Sequence, residues 1–177
     1  MKFFFIFTVF LLLTACQSSL IQTNSSYLEP AIHPSIEITQ SLDVSPESAR
    51  AFLQNGEVIS LEKLDLYAVN CEVEVNTVSE TGQIIKPGKF KIISTSYEES
   101  PIVMIKPVML ASLNYASSTP PDIKRYVRFH LTALEAESKS SVRSLICRGA
   151  QDTHNEAELP TLKQMQNAVG IYIKFNL

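Results

Sequence analysis

Residues 67–75 read YAVNCEVEV, and this stretch decides the fold class. Val69, Cys71, Val73 and Val75 alternate with polar or small residues, which is the two-residue period of a strand with one apolar and one polar face. Cys71 shares the apolar face with the valines. The stretch therefore predicts a half-buried strand whose cysteine points into the core.

Residues 49–59 allow two interpretations. As a helix, the segment has Ser45 as its cap, Pro46 in the first turn and Gly56 as a terminator. As two strands, it has Asn55-Gly56, a strong signal for a hairpin turn. The strand character of the residues that follow favours the hairpin.

Most of the remaining chain also has the pattern of short strands. Residues 126–133 and 141–148 predict the two arms of a long hairpin, whereas the apolar residues of 159–169 have helical spacing and Gly170 follows them as a terminator. Regular short strands separated by turns predict a mainly β protein, a single antiparallel β-barrel or sandwich-like domain with one short C-terminal helix.

Residues 1–15 predict a lipoprotein signal peptide. Lys2 precedes an uncharged segment of about a dozen residues, which suits an export signal and is short of the roughly 20 that a spanning helix needs. The sequence LTAC, ending at Cys16, resembles the lipobox of bacterial lipoproteins, in which the cysteine is lipidated and the signal is cut before it. An ordinary secretory signal with an unmodified cysteine is the alternative. We expect no cofactor beyond this covalent lipid, a palmitate-type anchor on Cys16.

The anchor also predicts the location and layout of the mature chain. Gln17 after the lipidated cysteine resembles lipoproteins sorted to the outer membrane, so we expect the periplasmic face of that membrane, with acyl chains as the attachment. Residues 16–45 are rich in Ser, Thr, Asn and Pro and predict a lipidated N-terminus and flexible tether. Residues 46–177 then form a single β-rich periplasmic domain. Alternation at residues 36–38 allows a short strand to dock within the tether.

Two cysteines remain once Cys16 carries the lipid. Because exported proteins meet oxidising conditions, Cys71 and Cys147 predict one disulfide. Such a bridge closes a loop of roughly 77 residues and is worth about 4 kcal/mol in the chain-entropy model. Two unpaired core cysteines or a metal pair are the alternatives, but neither cysteine has a histidine or another cysteine near it in the sequence.

Motifs for catalysis and metal binding are not found. His33, His130 and His154 stand singly, and the five glycines form no nucleophile elbow or phosphate loop. Glu72 and Glu74 share one strand face about 7 Å apart, a separation that glycoside hydrolysis tolerates, but such a pair is far more often the solvated face of a sheet. The sequence predicts that the protein is not an enzyme and holds no metal.

One polar strand face is a candidate for binding. Tyr126, Arg128 and His130 alternate with apolar residues, and an arginine between an aromatic ring and an imidazole could receive a carboxylate or a sugar. The alternative is a solvated outer face on which the arginine stacks on the tyrosine. The chain has 15 Lys and Arg against 18 Asp and Glu, a net charge of -3, so nucleic acid is not an expected partner.

Taken in order, these features resemble a group of uncharacterised outer-membrane lipoproteins from gamma-proteobacteria. The shared features are the lipobox, a segment similar to residues 49–56, a tyrosine shortly before a cysteine-containing strand at 67–75, a Pro-x-x-Phe turn and strand at 87–90, and a second cysteine before a helix that ends in Gly170. The resemblance covers most of residues 45–170. It implies a small disulfide-containing β domain and carries no activity with it.

The function predicted from the sequence is that of a membrane-anchored envelope lipoprotein. We expect a non-catalytic accessory or assembly factor that binds another envelope component, an envelope protein or a cell-wall component. A binder or carrier of a small hydrophobic or saccharide ligand within the β domain is the alternative. An interior cavity bordered by Val73, Phe90 and Phe129 favours the carrier, whereas a filled core with an exposed patch favours partner binding.

Overall fold

The computed structural model describes residues 34–101, 122–134 and 142–177. The predicted signal peptide, Cys16 and His33 lie outside the described residues. In chain order the strands are β1 (Ser35–Ile38), β2 (Leu42–Val44), β3 (Arg50–Gln54), β4 (Glu57–Ile59), β5 (Asn70–Val75), β6 (Gln83–Ile85), β7 (Gly88–Pro101), β8 (Ile123–Ala133), β9 (Val142–Arg148) and β10 (Ile173–Asn176). A 3-10 turn covers Leu61–Lys63, and helix α1 covers Leu162–Val169.

Eight strands form one antiparallel sheet in the order β10-β1-β7-β8-β9-β5-β3-β4, and β2 pairs separately with β6. The large sheet curls into a half-barrel. The prediction of a mainly β antiparallel domain with a short helix near the C-terminus is confirmed. β7 extends through Pro101, which pairs with Ile123 of β8.

The segment 49–59 is a hairpin and not a helix. β3 and β4 pair through Leu53 and Val58, and the turn between them has positive φ angles of 54° at Asn55 and 79° at Gly56. Two successive residues with positive φ match the turn type that asparagine followed by glycine favours in tight hairpins. The sequence signal at this turn is therefore confirmed.

Helix α1 packs against strands β3, β5 and β10 of the large sheet. Thr161 caps its first turn in a capping box with Gln164, and its buried residues Met165, Ala168 and Val169 face the sheet core. In the described part of the chain no helix is long and apolar enough to cross a membrane.

The residue after the helix is Gly170, which touches the β3–β4 turn. A Cβ atom on Gly170 would lie 2.6 Å from the Cα of Gly56, and Gly56 N donates to the Ala168 carbonyl at 3.0 Å. Gly170 also has a φ of 55°, which side-chain-bearing residues rarely adopt. The two glycines thus allow the hairpin turn to lie directly against the helix end.

The inner face of the sheet, which packs against α1, is apolar and buried. Val73, Phe90 and Phe129 are at most 2% exposed and belong to one core cluster with the helix residues. The Phe129 and Phe175 rings meet edge to face with centroids 6.0 Å apart. The three residues that would border a ligand cavity in a carrier therefore pack inside the core.

The predicted tether, residues 16–45, extends too far toward the C-terminus, because its last part forms strands. Residues 35–38 and 42–44 are strands, and Ile36, Ile38 and Leu42 are at most 1% exposed. β1 lies in the sheet between β7 and β10. The Ser and Pro content of residues 16–45 indicated a coil, but the alternating apolar residues bury enough surface to order this part, so β1 and β2 belong to the folded structure.

Candidate functional site

The predicted disulfide is formed. Cys71 on β5 and Cys147 on β9 stand directly opposite each other with Cα atoms 4.0 Å apart, and both are fully buried. The bridge joins segments 76 residues apart in the chain. The alternatives of two unpaired cysteines or a metal pair are therefore wrong.

We use the term outer face for the side of the large sheet that is opposite α1. Its central row runs across five strands, because Ser96 on β7 pairs with Arg128, Arg128 with Ile146, Ile146 with Glu72, and Glu72 with Phe52 on β3. The predicted face of Tyr126, Arg128 and His130 lies within this larger surface. Antiparallel register thus brings together residues from distant parts of the chain.

Glu74 is the centre of a charge network on the outer face. Its Oε2 lies 3.1 Å from Nη1 of Arg128 and 3.6 Å from Nε of Arg143, and it accepts a hydrogen bond of 2.8 Å from the Ser144 hydroxyl. Its other oxygen, Oε1, lies 3.5 Å from Nη2 of Arg50. One carboxylate therefore contacts arginines from β3, β8 and β9.

These contacts decide the ionisation of Glu74. Burial of the side chain acts to raise its pKa, but the Ser144 hydrogen bond and the charges of Arg143, Arg50 and Arg128 outweigh burial. The pKa of Glu74 is therefore below its ordinary value. Glu74 is ionised at neutral pH, which is unsuited to a general acid because that role needs a raised pKa.

Glu72 is the second carboxylate of the network and is only 2% exposed. Its Oε2 lies 2.7 Å from Nη1 of Arg148, and its Oε1 lies 3.4 Å from Nε of Arg50, outside hydrogen-bond geometry. The expectation that Glu72 and Glu74 form a solvated face is wrong, because arginines from the neighbouring strands cover them. A buried carboxylate needs such partners, since an unpaired charge in a protein interior is very costly.

Tyr126 links the network to β7. Its hydroxyl donates to Oε2 of Glu98 at 2.6 Å, and Oε1 of Glu98 lies 3.3 Å from Nε of Arg128. The guanidinium groups of Arg128 and Arg148 lie 5.9 Å and 5.3 Å from the centre of the Tyr126 ring, within cation–π range. The expected stacking of Arg128 on Tyr126 is therefore present, as one part of an ion-paired surface.

The pKa values of Glu98 and Tyr126 shift in opposite directions. The hydrogen bonds from Tyr126 and Ser96 hold the pKa of Glu98 below its ordinary value. Burial, followed by the hydrogen bond to Glu98, raises the pKa of Tyr126. Both shifts keep the Tyr126 proton on the phenol and the charge on Glu98, so this contact stays a neutral donor with an ionised acceptor.

His130, the third residue of the predicted face, lies in the row of cross-strand pairs next to that of Arg128. It is half-buried and pairs in register with Ser94 on β7 and Ser144 on β9. Ser144 is the residue that donates to Glu74, so the imidazole borders the network. A binding role for Tyr126, Arg128 and His130 stays a prediction.

Sequence reasoning missed Lys124, which lies two residues before Tyr126 on β8. Lys124 is 5% exposed, and its Nζ has no hydrogen-bond partner among the described residues. Burial and the nearby charge of Arg148 lower the pKa of Lys124 to about 8, although Asp65 acts to raise it. The same alternation that places Tyr126 and Arg128 on the outer face also places Lys124 there. Because Lys124 lies near the start of the strand, its sequence position gave no indication that it is buried.

A second unpartnered polar atom belongs to Asn70, in the row of cross-strand pairs next to Lys124. Asn70 is fully buried, its amide nitrogen donates to the Ala68 carbonyl at 3.0 Å, and its Oδ1 accepts no hydrogen bond within the described residues. Asn70 pairs in register with Arg148, which pairs with Tyr126. This end of the outer face therefore holds both an unused donor and an unused acceptor.

A cleft of about 510 Å³ borders the network on the β3 side. Arg50, Phe52 and Glu74 of the sheet line it, together with Pro46 and Leu61 from outside the strands. Leu61 is 61% exposed. Charged and apolar groups therefore meet at this margin of the outer face.

Across the three described ranges, no group of three or more His, Cys, Asp or Glu side chains is placed to hold a metal ion. The carboxylates at the centre of the site instead have arginine partners. No protein-family model, curated protein or solved structure matches this chain.

Proposed function

We propose that this protein is an envelope lipoprotein, anchored by lipid on Cys16 to the periplasmic face of the outer membrane, that binds another envelope component without catalysing a reaction. The observation that carries the proposal is the ion-paired outer face. Four arginines and three glutamates, supplied by five strands, form a connected surface on the side opposite the packed core: Arg50, Arg128, Arg143, Arg148, Glu72, Glu74 and Glu98.

The network favours recognition because its side chains are held in place before a partner arrives. Arg128 is held between Glu74 and Glu98, and its side chain is 16% exposed. A group that is already ordered loses little conformational entropy on binding. Fixed charges also give specificity, because a partner with the wrong charge pattern leaves them unpaired.

The packed core is evidence against the carrier alternative. Val73, Phe90 and Phe129 lie within a single buried cluster with residues of α1 and β10. A carrier needs an internal cavity at this place to enclose an apolar ligand. The observations therefore favour a partner that lies on the outer face.

Position-specific crosslinking in intact cells tests the binding proposal. A photo-crosslinking phenylalanine analogue replaces Ser94, which is exposed on the outer face, or Gln166, an exposed residue of α1 that serves as the matched control. We expect a discrete crosslinked product from position 94 and none from position 166. Equal products from both positions, or none from position 94, would contradict binding through the outer face.

Membrane fractionation tests the anchor. Replacing Cys16 by Ser removes the thiol that receives the lipid, so we expect the protein to leave the membrane fraction. Replacing Ser18 by Ala is the control because it retains the cysteine. Retention of processed Cys16→Ser protein in the membrane would overturn the lipoprotein assignment.

A further inference from the structure

We infer that the Lys124 end of the outer face is a binding site for an oxyanion, the carboxylate or phosphate group of a ligand, held between Lys124 and Arg148. The inference rests on the proposed binding role of the outer face and adds the chemical class of the ligand. It concerns a part of the face that lies beyond the ion pairs of Glu74.

The first observation is the missing partner of Lys124. Its ammonium nitrogen is buried and receives no acceptor from the described residues, and no carboxylate there lies within ion-pair distance of it. A buried polar group normally has a hydrogen-bond partner, because leaving a donor unsatisfied costs the free energy of its desolvation. An oxyanion supplies both the acceptor and the negative charge that this position lacks.

The second observation is the charge around Lys124. Arg148 stands opposite Tyr126, two residues from Lys124 on the same face of β8, and its charge acts to lower the lysine pKa. Although Nη1 of Arg148 lies 2.7 Å from Glu72, its side chain is still 20% exposed. Asp65, from the segment before β5, is the acidic group that acts on Lys124 in the other direction. Lys124 and Arg148 are therefore two neighbouring cations on the outer face of a chain whose net charge is -3, and attraction to both would favour an anionic ligand.

The third observation is an exposed hydroxyl group on the neighbouring strand. Ser100 stands directly opposite Lys124 on β7 and is exposed. The proposed anion would approach Lys124 from this side, where Ser100 also offers a hydroxyl donor. Charge-assisted hydrogen bonds from an ammonium and a guanidinium are the usual means by which proteins hold carboxylates and phosphates.

The test uses the full mature chain in detergent, with lysine side chains labelled for NMR, and acetate and inorganic phosphate as probes at constant ionic strength. We expect one probe or both to shift the Lys124 signal saturably and to raise the pKa of its ammonium group, because a bound anion favours the charged form. Phosphate alone would identify a phosphate-bearing ligand, and an equal or stronger effect of acetate would identify a carboxylate. A Lys124 signal that responds to neither probe more than to chloride would overturn the inference.

Matched variants separate binding from simple charge screening. Lys124→Met keeps an unbranched side chain but removes the ammonium group, and it should weaken probe binding by about tenfold or more. Lys163→Met, at an exposed position on α1, should leave probe binding unchanged. Equal probe affinity in Lys124→Met and wild type would also overturn the inference.

The Ser94 crosslink distinguishes the inference from the function on which it rests. If wild-type protein forms the crosslink but Lys124 binds neither probe, the oxyanion site is wrong and the binding proposal stands. If the probes bind at Lys124 but no Ser94 crosslink forms, the site stands and the proposed partner binding fails.

Discussion

Glu74 on β5 and Arg128 on β8 form an ion pair of 3.1 Å across the intervening strand β9. The two residues are 54 positions apart in the chain. Their side chains are 10% and 16% exposed, so the pair is partly withdrawn from water. The pair therefore fixes the relative position of three strands on the outer face.

Replacing Glu74 by Gln should destabilise the domain. The change keeps the shape but leaves Arg50, Arg128 and Arg143 without their shared counter-charge, and we expect a loss of about 2–4 kcal/mol in urea unfolding at pH 7. Glu99→Gln is the control, because Glu99 is 54% exposed and its pair with Arg125 should contribute less than about 1 kcal/mol. Equal effects of the two changes would contradict a central role for Glu74.

The stability difference between wild type and Glu74→Gln should depend on pH. Because the pKa of Glu74 is lower in the folded than in the unfolded state, its contribution is complete above the unfolded pKa and disappears as the pH falls through the folded pKa. Wild type should therefore lose more stability than Glu74→Gln as the pH is lowered through and below about 4.3, the ordinary glutamate value. Parallel stability curves in acid would show that the shift is absent.

Removal of the disulfide should weaken the core without unpairing the strands. The double change of Cys71 and Cys147 to Ala should cost about 4 kcal/mol in urea unfolding, since the bridge closes a long loop in the unfolded chain. Wild type unfolded with a reductant should match the variant. Labelling of Cys71 or Cys147 in denatured, unreduced protein would show that the bridge is not formed.

Replacing Gly170 by Ala should destabilise the contact between α1 and the β3–β4 turn. The new Cβ would lie 2.6 Å from the Gly56 Cα at a φ of 55°, and we expect a loss of at least about 2 kcal/mol in urea unfolding. Gly88→Ala is the control, because its Cβ would make ordinary contacts of 3.6 Å with the Phe90 ring. A Gly170→Ala protein as stable as the control would contradict this tight approach.

Replacing Lys124 by Met should stabilise the domain at neutral pH. The folded-state pKa of Lys124, about 8, is below the ordinary value of about 10.4, so burying the charged form costs about 3 kcal/mol at pH 7. At a pH between these two values Lys124 is protonated in the unfolded chain but largely deprotonated in the folded one. Raising the pH therefore favours the folded state of wild type. The advantage of the variant, measured by urea unfolding, should thus shrink from pH 8 to pH 10.5. A constant difference would show that Lys124 titrates normally.

Much of the fold follows from local patterns. The alternation around Cys71, the Asn55-Gly56 turn and the helix that precedes Gly170 were each predicted from neighbouring residues and are confirmed. The tether was misjudged at residues 35–44, because its composition resembles a coil while its few apolar residues are buried by strands from the far end of the chain.

The sequence by itself determined that β5 has an apolar and a polar face, that Cys71 and Cys147 are available to pair, and that Tyr126 and Arg128 share one side of a strand. A two-residue period distinguishes the faces of a strand but contains no information about what covers them. Only the tertiary structure decided that Glu72, Glu74 and Lys124 are buried. The physical reason is that their burial depends on strand order and register, which bring arginines from β3, β8 and β9 over the carboxylates and leave the Lys124 ammonium without a counter-charge among the described residues.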